Sequence, residues 1–153
     1  MHLNILPQTR HQKPSGKELR LIARLVDLEL GTLPGVVNLI FCDDPTIRQL
    51  NKEHRKKDKL TDVLTFTYFQ LPTSPKDLLG EIFLDLQQVE RQAKEHQHAV
   101  EMELYTLCIH GLLHLRGYDH EGDEEYRVMK LLEDKIMKCF LKSAQIRAQN
   151  LSL

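Results

Sequence analysis

The amino-acid sequence predicts one domain of mixed strands and helices built around a buried helix. Three observations point there. Strand-like runs are confined to the first 86 residues, and from Gln87 onward the pattern is helical. The segment 99–116 is apolar on most sides (Val100, Leu104, Leu107, Cys108, Ile109, Leu112, Leu113, Leu115), as in a helix enclosed by a core. No repeat, low-complexity tract or linker divides the 153 residues, a length suited to a single domain over 1–153.

Residues 1–6 read as a short first strand. Ser15-Gly-Lys-Glu18 is a capping-box pattern, with Leu19, Ile22, Ala23, Val26 and Leu30 following at helical spacing and Gly31 as the stop. Pro34-Gly35 turns the chain into 36–41, an apolar β-branched strand. Asp44 as N-cap and Pro45 as first helical residue open a helix with Ile47 and Leu50 on its inner face. Residues 63–68 have strand composition, Pro72 and Pro75 bracket a loop, and 81–86 form a further strand. The helical remainder breaks near His96-Gln97-His98 and at Gly117. A last helix from about Asp123 is expected to turn Tyr126, Met129, Leu132 and Ile136 inward, with Lys138 and Lys142 in its last turn and a frayed end after Gln145.

Composition narrows the function. At 41% hydrophobic and 28% charged residues, the chain is neither disordered nor fibrous. No apolar run approaches the ~20 residues that span a bilayer, and the first ten residues lack the pattern of a signal peptide. Cys42, Cys108 and Cys139 are far apart and form no Cys-x-x-Cys pair, which excludes a disulfide framework and a thiolate zinc ribbon. A reduced, cytoplasmic protein without a membrane partner is expected. The net charge of −1 excludes a uniformly basic nucleic-acid binder. The charges are uneven, however: residues 52–59 carry five basic side chains, and 119–125 carry five acidic ones and no basic one.

The informative segment is His110-Gly-Leu-Leu-His114-Leu-Arg-Gly117-Tyr-Asp-His120. Side chains four apart on a helix share a face, with Cβ atoms ~5–6 Å apart, so the imidazoles of His110 and His114 can reach one metal ion. Gly117 can end the helix in a left-handed conformation, and His120 then supplies a third nitrogen from outside it. This is the metzincin spacing with Gly111 in place of the glutamate. Three imidazoles leave a coordination position open, as catalytic rather than structural sites do. One divalent ion is implied; zinc fits first, and nickel or another transition metal also suits nitrogen donors. Gly111 cannot shuttle protons as the glutamate of peptidases does, which argues against peptide hydrolysis.

Residues 55–66, with the run Arg55-Lys-Lys-Asp58-Lys-Leu-Thr61-Asp62-Val63-Leu64-Thr65-Phe66, then Leu79-Gly80-Glu81-Ile82, and the histidine segment together resemble the YbeY family of bacterial metal-dependent endoribonucleases. The resemblance implies a zincin-like α+β fold, with a small mixed β-sheet packed against helices and the metal site on a central buried helix. It implies His110, His114 and His120 as metal ligands and Arg55 as the arginine of the active-site cleft. It also implies hydrolysis of single-stranded ribosomal RNA in small-subunit 3′-end maturation and ribosome quality control. The partners implied are ribosomal RNA, the ribosome or precursor small subunit, and ribosome-associated proteins. Glu81 stands where the family commonly has Asp, and His54 where an aromatic residue is frequent.

Physics adds roles beside the resemblance. The fork of Arg55 suits phosphate oxygens, and Lys56, Lys57 and Lys59 can guide an RNA backbone. Asp119, next to a ligand, is a candidate to orient an imidazole from behind or to accept a proton. His54, His96 and His98 read as surface residues, Cys108 as core, Thr61-Asp62 as a turn bonding nearby backbone, and Gly80 as a point of close approach. Two rival functions remain at this level: a zinc-dependent peptidase or other zinc hydrolase, and a metal-stabilised ribosome assembly factor that does not cut.

Overall fold

A computed structural model describes residues 1–7, 16–71 and 77–151. The order is β1 (His2–Pro7), α1 (Gly16–Leu30), β2 (Val36–Cys42), α2 (Asp44–Arg55), β3 (Val63–Thr67), β4 (Leu78–Asp85), α3 (Leu86–Glu95), α4 (Val100–Leu115) and α5 (Asp123–Leu151). The sheet has the order β1-β2-β4-β3. β1 and β4 run parallel to β2, which demands crossover connections, and helices supply them. β3 is antiparallel to β4, with Val63 opposite Leu84 and Thr67 opposite Gly80. The fold is the α+β arrangement expected.

Strand alternation sorts the side chains into two layers. Val37, Leu39, Phe41, Ile82 and Leu84 face a core shared with α1, α3, α4 and α5. Leu64, Phe66 and Phe83 face the other way, onto Ile47 and Leu50 of α2. At the centre of the larger layer, α4 touches α1, α3, α5, β3 and β4. From Leu104 to Leu115 its leucines, Cys108 and Ile109 are buried all round the helix, whereas Val100 in its first turn is exposed, contrary to expectation.

Gly80 and Gly111 let α4 come this close. A Cβ at Gly80 would collide with the Phe66 carbonyl and Leu115, as the expected close approach requires. At Gly111 a Cβ would stand 2.9 Å from Ile82 Cγ2 and 3.4 Å from Thr65 Oγ1. The position that holds glutamate in zinc peptidases is filled here by the sheet.

Several expectations shift. The N-cap of α2 is Asp43 rather than Asp44: its carboxylate accepts from the Thr46 amide (3.1 Å) and hydroxyl (2.6 Å), and Pro45 becomes the second helical residue. β4 starts at Leu78 rather than 81 and ends at Asp85, because the Asp85 carboxylate accepts from the Gln87 amide (3.1 Å) and caps α3, which Leu86 opens. Tyr126 is 57% exposed, since it lies one turn before the buried stripe of Met129, Ile136 and Phe140 begins. α5 continues as helix to Leu151 instead of fraying after Gln145, so Lys138 and Lys142 lie within it. Ser15, Pro72 and Pro75 fall outside the described residues.

Candidate active site

α4 presents His110 and His114 from one face, and their Nε2 atoms stand 3.0 Å apart. The helix then ends as its sequence predicts. Gly117 takes φ +93°, its amide donates to His114 O (2.9 Å), and the Tyr118 amide donates to Leu113 O (3.1 Å). This pair of bonds is a Schellman turn, and it sends the chain back so that His120 approaches the other two rings. The ring centroid of His120 lies 5.4 Å from that of His110 and 5.2 Å from that of His114. One ligand atom from each of the three lies within 4.8 Å of the others, so they can close around a single ion. Arg116, donating to Asp27 of α1 and to Gly31 O just beyond its end, ties down the turn.

Two features prepare these nitrogens for a cation. Burial, and then the neighbouring His110 and His120, push the His114 pKa down, which favours its neutral ring. His110 Nδ1 lies 2.6 Å from Glu133 Oε1 on α5, so Nδ1 carries the proton and Nε2 turns its lone pair toward His114. Glu133 went unnoticed in the sequence, although a signal was there. It falls on the stripe of Met129, Ile136 and Phe140, where a carboxylate needs a partner.

Asp119 is half-exposed. Its Oδ1 accepts from the His120 amide (2.7 Å) and stands 3.8 Å from His120 Nδ1, so it holds the loop that delivers the third ring.

Across from the histidines, Arg55 closes α2, and Lys56 follows in a left-handed conformation at φ +60°. Arg55 Nη2 donates to Thr65 O (3.1 Å), which anchors the guanidinium over strand β3. From the opposite side Thr65 Oγ1 bonds Gly111 O (3.3 Å). A cleft of about 770 Å³ runs between the two, lined by Arg55, Lys57, Lys59, Asp119 and all three histidines. Lys56 is not among its lining residues; its ammonium reaches back to Glu53 O (3.4 Å). His54 is exposed as expected, with its ring edge-on to Phe66. Cys108 is fully buried, and Asp62 caps β3 by accepting from the Val63 amide (2.8 Å). His96 and His98 are exposed, as expected, and both also bond the buried Glu103.

Three imidazoles and an arginine lining one cleft could hold a metal ion and an anion together. Comparison with known proteins decides the family. The family model described as Endoribonuclease YbeY matches residues 6–141.

The chain belongs to this family. Among curated members, the Endoribonuclease YbeY of Chlorobium phaeobacteroides is 34% identical over 137 residues, covering 90% of this chain and 96% of that protein. That of Pelotomaculum thermopropionicum is 41% identical over 105 residues, covering 66% of this chain and 69% of that protein. The solution structure of TM1509 from Thermotoga maritima superposes with a TM-score of 0.56 at 30% identity, covering 92% of this chain and 93% of that one. Residues 6–141, matched by the YbeY family model, contain the whole lining of the cleft, from Asn51 to Glu121, and Glu133 behind it.

Proposed function

We propose that the chain, as one domain over 1–153, is a metal-dependent endoribonuclease that hydrolyses phosphodiester bonds of single-stranded ribosomal RNA. In this reading His110, His114 and His120 hold one divalent ion, zinc by donor chemistry, and Arg55 is the catalytic arginine. The observation that carries it is the shared cleft: three imidazole donors on one wall and a guanidinium, tethered by Thr65 O, on the other. Membership of a family named for endoribonuclease activity supports the substrate class.

His110, His114 and His120 would hold the ion, which when bound would supply Lewis-acid polarisation of a phosphoryl oxygen. The protein's own groups do the rest. Arg55 uses one N–H on Thr65 O and has others to hold the phosphate and meet the charge that grows on it. Lys57 and Lys59, along the same cleft, draw in the RNA backbone, and Lys56 adds charge from outside its lining. Glu133 fixes the His110 tautomer, and Asp119 the His120 loop.

The ribosome or precursor small subunit, with ribosome-associated proteins, would present the RNA, because few aromatic side chains are available to read bases. Among the described residues no helix is long and apolar enough to cross a membrane; a cytoplasmic location fits the ribosomal substrate. A peptidase is disfavoured by the packing of Ile82 against Gly111, which leaves no room for the usual base.

The test is incubation of purified protein with a short single-stranded RNA and with casein, with and without chelator. Chelator-sensitive RNA cleavage with intact casein is expected. Tight RNA binding without cleavage at any metal load would instead make the chain an assembly factor.

A further inference from the structure

The N-terminal end of α4 carries a second cluster, away from the cleft. His96 Nδ1 lies 3.0 Å from Glu103 Oε2, and His98 Nε2 lies 2.5 Å from the same oxygen. One ligand atom from each residue lies within 4.8 Å of the others, as in the three histidines of the cleft.

The backbone builds this cluster. α3 ends in a Schellman turn, with the Gln97 amide donating to Lys94 O (3.3 Å) and the His98 amide to Ala93 O (3.1 Å). The left-handed position that this turn requires is held by Gln97 at φ +56°, where glycine is usual. By folding there, the chain places His96 and His98, two residues apart, on one carboxylate. Glu103 is only 5% exposed, in the first turns of α4, and the histidines are its only ionic partners among the described residues. Among the described residues no arginine or lysine pairs with it.

We propose that His96, His98 and Glu103 form a second metal site, for a zinc-class transition ion, that staples the end of α3 to the start of α4. The donor set is two imidazole nitrogens and one carboxylate oxygen, which selects zinc, cobalt or nickel over magnesium or calcium. Donors at ~2.0–2.1 Å from a tetrahedral zinc stand roughly 3.3 Å apart. The His96–Glu103 pair is nearly there. His98 has to withdraw by under roughly 1 Å, and it sits on an open connection where its ring is one-third exposed. Water completes the coordination on the exposed side. The staple acts where α4 lacks a side-chain cap, since its N-cap is Ala99.

The experiment is metal stoichiometry of the full chain, by equilibrium dialysis against zinc, for wild type, His96→Ala, Glu103→Gln, His114→Ala and the double variant His96→Ala/His114→Ala. Expected are two ions per chain in wild type, one in each single variant and none in the double. His96 is exposed, so its truncation leaves the fold intact, and Glu103→Gln keeps the shape while removing the anionic donor. In the His114→Ala background, cobalt should give a visible ligand-field band that His96→Ala abolishes, with affinity falling at least about tenfold. One ion in wild type, lost in His114→Ala and kept in His96→Ala, overturns the second site and leaves the cleft assignment standing. One ion in wild type, lost in His96→Ala and kept in His114→Ala, supports the second site and removes the ligand assignment of the cleft.

Discussion

Two histidine clusters stand at opposite ends of α4, and the same Schellman turn shapes both, with Gly117 at one end and Gln97 at the other. They differ in where the carboxylate sits. Glu133 stands behind His110 and touches only the far nitrogen, so the three groups facing the cleft are all imidazole nitrogens, with no carboxylate among them. Glu103 stands between His96 and His98 as a donor itself. A dication held by three imidazoles keeps its double charge for an incoming phosphate, whereas one held partly by a carboxylate has spent half of it on the protein. The position of one acid therefore separates a site made for acting on an anion from one made for holding a helix.

The largest effect that sharpens this contrast is expected at His114. Replacing it by alanine should remove the cleft ion and drop RNA cleavage to background, without touching the ion at His96. Metal analysis beside a cleavage gel reads both, and undiminished cleavage would break the comparison.

Arg55→Ala comes next. Metal content and melting temperature should hold, while cleavage falls about 10²–10³-fold, the usual loss of one preorganised charge-stabilising group. Arg55→Lys should restore little, because lysine lacks the two-pronged geometry. Single-turnover rates at saturating RNA measure it, and wild-type rates in both variants would leave the cleft without its anion half.

Glu133→Gln should weaken zinc at the cleft by about 10–100-fold through loss of the His110 tautomer. Its competition against a chromophoric chelator is the readout, and no change would mean that Glu133 is only a packing residue.

The smallest effect concerns pH in chelator-treated protein, and its sign is opposite at the two ends. Hydrogen bonding to Glu103, then the charge of Glu103, raises the His96 pKa. Folding thus gains from the protonated ring below its unfolded value, ~6.5, and loses that gain as pH rises through the folded value. At His114 burial lowers the pKa, so stability is full above ~6.5 and declines as pH falls toward the folded value. Relative to wild type, His96→Ala should melt lower at pH 5.5 than at pH 8, and His114→Ala should show the reverse slope. Parallel slopes in thermal scans would contradict the assignment of neutral and charged rings.

The cleft cluster was legible because two of its ligands lie on one regular helix and the third follows a glycine, so spacing alone carries geometry. The family resemblance rested on the same short stretches, and it carried Arg55 with them. The other cluster was not legible. It depends on a left-handed glutamine and on a glutamate from the next helix, and neither a turn conformation nor a tertiary pairing shows in residue spacing. Glu103 and Glu133 share one missed signal, an acid on a face otherwise apolar. The elements themselves were mostly legible, since Gly31, Pro34-Gly35 and Gly117 punctuate them. Their ends slipped by a few residues wherever two adjacent acids competed to cap, as at Asp43 and Asp44, or where a cap cut a strand short, as at Asp85.

Thr65 gives the cleft its width. Its carbonyl holds Arg55 and its hydroxyl holds the Gly111 carbonyl, one residue beyond His110. Both walls are thus tied to a single residue, like jaws set against a common stop. A shift of strand β3 carries arginine and imidazoles along in step, so their spacing survives breathing of the sheet. A phosphate entering this cleft would meet an arginine and imidazoles whose positions already share one anchor.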